Sequence, residues 1–215
     1  MTFFPPPLYP ILDASTLPVS RRKRDALLSV LLGELIDAGV TILQYRNKQG
    51  RDDEMVTDAR TMRAAAPADR CVLILNDWPA LLAETGFDGV HIGQGDMPPA
   101  LARDLIGPDL ILGVSTHNPE QLGAADCTNA DYLAIGPVFA TTTKQNPDPV
   151  VGLEGLRLAR SLTRKPLVAI GGISLTNCRA VREAGADSVA IISAIFLGTG
   201  TPAELARKFL VELSF

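Results

Sequence analysis

Cysteine is scarce in this chain and badly placed for cross-linking. The three cysteines, Cys71, Cys127 and Cys178, are odd in number, far apart and without C-x-x-C spacing. That argues against a structural disulfide and reads as reduced core or helix residues of a cytosolic protein. No apolar run approaches the ~20 residues a membrane span needs. The start, Met1 to Pro10, has no basic segment and is broken by Pro5, Pro6 and Pro7, so it reads as neither a signal nor a transit peptide. No charge of one sign dominates. The formal net charge is −4 with both signs interspersed, which argues against nucleic acid or an anionic membrane as the main partner. Any anion site must be built locally, from a few lysines, arginines and backbone N–H groups. Missing too are a G-x-G-x-x-G after the first strand, where Asp13-Ala14-Ser15 stands, and any recognisable Ser-His-Asp or Cys-His arrangement. No linker, low-complexity tract or charge block interrupts the chain.

What is present is alternation. Hydrophobic residues make up 47% of the 215 residues, enough to bury a large core. Short β-rich runs, Leu8–Leu12, Thr41–Tyr45, Val72–Leu75, Gly89–Ile92, Ile111–Val114, Tyr132–Ile135, Leu167–Ile170 and Ser188–Ile192, alternate with helix-like stretches. Those are Arg22–Asp37, Asp53–Ala66, Pro79–Thr85, Pro98–Leu105, Pro119–Ala125, Leu153–Leu162, Leu175–Ala184 and Ala203–Leu213. Asp52, Asn118 and Thr201 stand where helix caps are wanted, and Gly39, Gly86 and Gly185 where helices end. Eight units in this length give about 27 residues each, close to the minimum for a βα unit. Most of the strands read as continuous apolar runs, as parallel strands buried on both faces do. Two domains or an open doubly-wound sheet also fit the length. The strand count and the missing glycine fingerprint favour a single-domain TIM (β/α)₈ barrel over residues 1–215.

In such a barrel the residues just after each strand form the catalytic face. After strand 2, Gln44, Arg46 and Lys48 alternate, so all three can point into one pocket and take an anion or a polar ring. A solvated strand end is the bland reading. Asp77 after strand 3 and Asp96 after strand 4 lie on adjacent strand ends. Two carboxylates at one mouth suit Mg²⁺, which keeps waters and takes other ligands from phosphates. Singly, each reads as a helix cap. His91, inside strand 4, reads as a satisfied core histidine. After strand 5 come Ser115, a candidate donor to substrate, and His117, either catalytic or a packing residue. The irregular stretch from Ala140 to Gly152 carries Thr141, Thr142, Thr143 and Lys144, a phosphate clamp or a flexible polar loop. Gly171-Gly172 after strand 7 and Ser193 after strand 8 stand where barrels commonly hold a phosphate.

Taken together, Gln44-x-Arg46-x-Lys48, Asn76-Asp77, His91-x-Gly93-Gln94-x-Asp96, Gly113-x-Ser115-x-His117, Gly136-Pro137 with the threonine–lysine run, Ala169-Ile170-Gly171-Gly172-Ile173 and Ile192-Ser193 resemble the thiamine phosphate synthase family. The resemblance runs from strand 2 to strand 8. It implies that 4-amino-5-hydroxymethyl-2-methylpyrimidine diphosphate is joined to 4-methyl-5-(2-phosphoethyl)thiazole, or its carboxylate, giving thiamine phosphate and pyrophosphate. It implies Mg²⁺ on Asp77 and Asp96. It puts Arg46, Lys48, Asn76 and Lys144 on the diphosphate, with Gln44 and Ser115 near the pyrimidine. Thr141, Thr143, Gly172, Ile192 and Ser193 would surround the thiazole phosphate. Lys48, Lys144 and Ser115 are the catalytic candidates. Mg²⁺ and two lysines suit the stabilisation of a departing diphosphate, with no protein nucleophile required. Gly95, Asn47 and Gln145-Asn146-Pro147 depart from the family's usual residues. The implied partners are phosphorylated small molecules, with no nucleic acid and no membrane; a homodimer is compatible, and the implied setting is cytoplasmic. Two other readings stay open: a thiazole tautomerase using His117 as acid/base, and a non-catalytic sensor of phosphate ligands.

Overall fold

A computed structural model describes residues 3–141 and 148–214. Eight parallel strands close into one barrel in chain order, β1 pairing with both β2 and β8. They are β1 (Leu8–Asp13), β2 (Ile42–Arg46), β3 (Val72–Asn76), β4 (Gly89–Ile92), β5 (Ile111–Thr116), β6 (Tyr132–Ile135), β7 (Leu167–Ile170) and β8 (Ser188–Ile191). Around them run α1 (Arg21–Asp37), α2 (Asp52–Ala65), α3 (Leu82–Thr85), α4 (Pro99–Ile106), α5 (Pro119–Asp126), α6 (Gly152–Leu162), α7 (Cys178–Glu183), α8 (Ser193–Phe196) and α9 (Pro202–Glu212). The single-domain barrel read from the strand spacing is the observed architecture. Among the described residues no helix is long and apolar enough to cross a membrane, and the three cysteines are unpaired.

Strand period 2 divides the core into two layers. Leu12, Leu43, Tyr45, Leu73, Leu75, Leu112 and Leu133 pack outward against the helices. Tyr9, Ile11, Ile42, Ile74, Tyr132, Ala134, Val168 and Ala190 form a separate cluster that fills the barrel. Because Ile42 points inward, Gln44 and Arg46 do as well, which carries β2's polar residues to the mouth.

Local chemistry explains most element ends. Asn118 caps α5 by accepting from Gln121 N at 2.9 Å. Thr201 and Glu204 form a reciprocal capping box on α9. Gly39, Gly86 and Gly185 all take positive φ after helices. Asp52 is not a cap: it is the first residue of α2, and Arg51 stands at the cap position without a side-chain hydrogen bond. The expected Pro79–Thr85 helix is a 3₁₀ turn, Pro79–Leu81, followed by α3. Helix α7 starts three residues later than the pattern predicts. Asn177 accepts from Ser174 N at 2.8 Å and donates to Gly172 O at 3.1 Å, and such local bonds compete with a helical start.

At the N-terminal end of the barrel one clasp recurs three times. Asp88, Asp131 and Asp187, just ahead of β4, β6 and β8, pair with Arg63 of α2, Arg103 of α4 and Arg160 of α6. Each carboxylate also accepts a strand N–H, from Leu73, Leu112 and Leu167 at 2.7, 2.8 and 2.8 Å. Each guanidinium also binds carbonyls of its own connecting loop, as Arg103 does with Gly107 O at 2.8 Å and Leu110 O at 2.6 Å.

Candidate active site

At the opposite, C-terminal end lies a cavity of about 490 Å³. Every described residue singled out for the site lines it: Gln44, Arg46 and Lys48 from the end of β2, Asn76 and Asp77 from β3, Asp96 after β4, Ser115 from β5, Thr141 after β6, Gly172 after β7, and Ile192 and Ser193 after β8. Thr142, Thr143 and Lys144 lie outside the described residues.

The acidic pair is the centre of charge. Asp77 takes φ 71°, in the left-handed region that a non-glycine residue occupies only under constraint. Its N–H donates to His91 O at 2.8 Å, which holds that conformation against β4. Its carboxyl group meets Lys48 Nζ in an ion pair and shares a hydrogen bond with Asp96. Asp96 Oδ2 also accepts from Gly93 N at 2.7 Å. Neither aspartate caps a helix, so the capping alternative is not realised: Trp78 and Pro98 hold the cap positions that follow them. Burial and the Asp96 carboxylate push Asp77 up to about 6. For Asp96, burial is outweighed by hydrogen bonds from Asp77 and Gly93 N–H and by Lys48, so it stays below the usual carboxyl range. Below about pH 6 the pair therefore keeps one proton, which a cation or a bound cationic group would displace. Nearby, Asn76 Nδ2 is buried without a hydrogen-bond partner, a donor left open for a ligand acceptor.

Arg46 and Lys48 do not await an anion alone. Arg46 is paired with Asp13 of β1, which the β1–β2 register sets directly opposite it. Burial opposes ionisation of Asp13, but hydrogen bonds from Ser15 N and Oγ, at 2.9 and 2.6 Å, and the Arg46 guanidinium outweigh it. Asn47, on the other side of the chain, accepts from Gly50 N at 2.7 Å and donates to Tyr45 Oη at 3.1 Å. It ties the loop carrying Lys48 to the buried group formed by Tyr45, Arg24 and Asp58.

His91 is the satisfied buried histidine its strand position predicts, with Nδ1 3.0 Å from Tyr132 Oη and Nε2 2.8 Å from Ser115 Oγ. Burial pushes it down to about 4, so the ring is neutral at physiological pH. Burial also raises the phenols of Tyr9 and Tyr132, which stay protonated. These two tyrosines floor the cavity and were not singled out from sequence. The available signal was a tyrosine at an inward-facing position of a buried strand, where its hydroxyl needs a partner. His117 lies on the wall with Nδ1 2.6 Å from Gly136 O and Nε2 3.5 Å from Asp148 Oδ2.

On the far side Gly171 and Gly172 take φ 100° and 64°. A Cβ on Gly172 would sit 2.5 Å from Ala140 O. The glycine is therefore needed where the loop after β6 closes onto the end of β7, at the cavity wall. Ser193 opens the short α8 beside it.

A closed barrel with cations, a carboxylate pair and glycine-rich strand ends gathered at its C-terminal mouth has the layout of a (β/α)₈-barrel enzyme. The thiamine monophosphate synthase family model matches residues 8–195. A thiamine-phosphate synthase of Koribacter versatilis is 51% identical over 205 residues, covering 95% of this chain and 94% of the relative. One from Chloroflexus aurantiacus is 42% identical over 188 residues, with 87% and 84% covered. The solved thiamine phosphate pyrophosphorylase from Pyrococcus furiosus superposes with a TM-score of 0.83 at 31% identity, covering 97% of this chain and 95% of that one. The chain belongs to the thiamine monophosphate synthase family, and it is a transferase of thiamine biosynthesis.

Proposed function

We propose that the enzyme couples 4-amino-5-hydroxymethyl-2-methylpyrimidine diphosphate to 4-methyl-5-(2-phosphoethyl)thiazole, or its carboxylate, with Mg²⁺ as cofactor. The observation that carries this is the Asp77–Asp96 pair set against Lys48 and the unpartnered Asn76 amide. Among the described residues no three His, Cys, Asp or Glu side chains converge on a metal position. Two carboxylates are nonetheless the donor set Mg²⁺ uses when its remaining ligands are waters and phosphate oxygens. Asp77 and Asp96 would hold the ion, which when bound supplies positive charge to the diphosphate oxygens.

The protein's own residues do the rest. Arg46, Lys48, Asn76 and Lys144 bind the diphosphate and stabilise it as the C–O bond breaks, an electrostatic task suited to preorganised donors. Gln44 and Ser115 hold the pyrimidine ring, whose electron donation spreads the positive charge left on its methylene carbon. Thr141, Thr143, Gly172, Ile192 and Ser193 hold the thiazole phosphate, so that the thiazole nitrogen faces that carbon. The C–O bond to pyrophosphate breaks first, the thiazole nitrogen then adds to the resulting carbocation to form the C–N bond, and no protein base is consumed. Free thiols fit a cytoplasmic setting; a homodimer is the proposed assembly. Incubation of pure protein with both substrates and Mg²⁺ is expected to yield equal amounts of thiamine phosphate and pyrophosphate. Isomerised thiazole phosphate without coupled product would favour the His117 tautomerase instead, and binding without turnover the sensor.

A further inference from the structure

The floor of the cavity carries an unbroken line of hydrogen bonds. Gln44 Nε2 donates to Tyr9 Oη at 3.2 Å. The Tyr9 and Tyr132 hydroxyls meet at 2.9 Å. Tyr132 Oη lies 3.0 Å from His91 Nδ1, and His91 Nε2 lies 2.8 Å from Ser115 Oγ. The line crosses the barrel through β2, β1, β6, β4 and β5.

With the Gln44 amide turned so that Nε2 donates to Tyr9, the polarity follows from counting protons. A phenol has one proton to donate. Tyr9 oxygen accepts from the Gln44 amide, so its own proton goes to Tyr132. Tyr132 in turn gives its proton to His91 Nδ1. A neutral imidazole that accepts at Nδ1 carries its proton on Nε2. Ser115 Oγ therefore accepts from His91, and its own proton is turned toward the cavity. The bonds among the described residues leave two ends open: Gln44 Oε1 as acceptor and the Ser115 hydroxyl as donor.

We propose that Tyr132, with Tyr9 and His91, is a positioning residue that fixes this polarity, so that the site offers an acceptor at Gln44 and a donor at Ser115 to one ligand ring. The proposal rests on the pyrimidine assignment above. The two ends match a ring that carries an amino group and an unprotonated ring nitrogen: the amino N–H reaches Gln44 Oε1, and the ring nitrogen receives the Ser115 proton. With the polarity reversed, Ser115 would spend its proton on His91 and Gln44 would present N–H groups, a pattern suited to an oxo ring.

The test combines ¹⁵N-histidine NMR with kinetics. The chain has two histidines, and His117→Gln assigns the spectrum. Wild-type His91 is expected to be protonated at Nε2 alone, and Tyr132→Phe, which keeps the ring stacked on His91 (centroids 5.5 Å apart), to give a mixture of tautomers. A wild-type His91 protonated at Nδ1 overturns the proposal, whether or not any variant folds. In steady-state assays Tyr132→Phe is expected to lower kcat/KM for the pyrimidine diphosphate about tenfold, roughly one hydrogen bond's worth, and to leave KM for the thiazole phosphate unchanged. In a Ser115→Ala background the same change is expected to cost less than about twofold, because the two act on one interaction. Equal penalties in both backgrounds also overturn it. A wild-type enzyme that forms no coupled product would instead sink the proposed reaction and leave the tautomer of His91 to decide the wire.

Discussion

The two ends of the barrel use the same residue types to opposite effect. At the N-terminal end each aspartate faces an arginine and a strand N–H, as Asp131 faces Arg103 and Leu112 N. Charges cancel, donors find acceptors, and the helices are tied to the strands. At the C-terminal end two carboxyl groups face each other, one residue sits at φ 71°, and an asparagine donor has no partner. The first arrangement is complete without a ligand. The second is an electrostatic conflict held in place by the rest of the fold, as a site awaiting a cation and anionic oxygens would be. Exchange the roles of the two ends and neither would serve.

That contrast breaks most sharply at Asp96. Asp96→Ala is expected to lower turnover at least about 1,000-fold, the scale of losing a main electrostatic group, while isothermal titration still detects thiazole phosphate at unchanged affinity. Full activity in this variant would falsify the metal assignment. Gly172→Ala comes next. Its Cβ would meet Ala140 O at 2.5 Å, so the loop after β6 must shift; KM for thiazole phosphate should rise about tenfold or more, and substitution without kinetic effect would show that this closure does not shape the phosphate site.

A similar magnitude is expected from pH. Asp77 is pushed up to about 6, so below that pH the pair keeps a proton that Mg²⁺ must displace. Mg²⁺ affinity should fall about tenfold per pH unit below pH 6 and level off above it, measured by titration at pH 5, 6, 7 and 8. Affinity that is flat across this range would mean that the pair is not the metal site. The smallest effect on turnover belongs to the other end. Asp131→Ala removes the carboxylate from Arg103 and leaves the Leu112 N–H without that acceptor; it should cost about 2 kcal/mol in urea unfolding yet change kcat less than about twofold. A large loss of kcat would erase the division of labour between the ends.

The barrel was legible because βα periodicity is local. Each strand announces itself as an apolar run, and the count of eight allows few closures. The site was legible in part for the same reason: residues after strands must share one face. Element starts governed by short-range competition were less so. Asn177, bonded to Ser174 and Gly172, delays α7, and Asp52 enters its helix instead of capping it.

The sequence by itself determined the barrel, the direction of its mouth and the residues gathered there, because alternation and strand order are properties of neighbouring residues. Only the tertiary structure decided what those residues do to one another. That Arg46 meets Asp13 and that Asp77 meets Asp96 depend on the register of neighbouring strands, and that Gln44 reaches Ser115 through Tyr9, Tyr132 and His91 depends on closure of the sheet. Closure brings together groups as far apart in the chain as 123 positions, and electrostatics and hydrogen bonding act on distance in space.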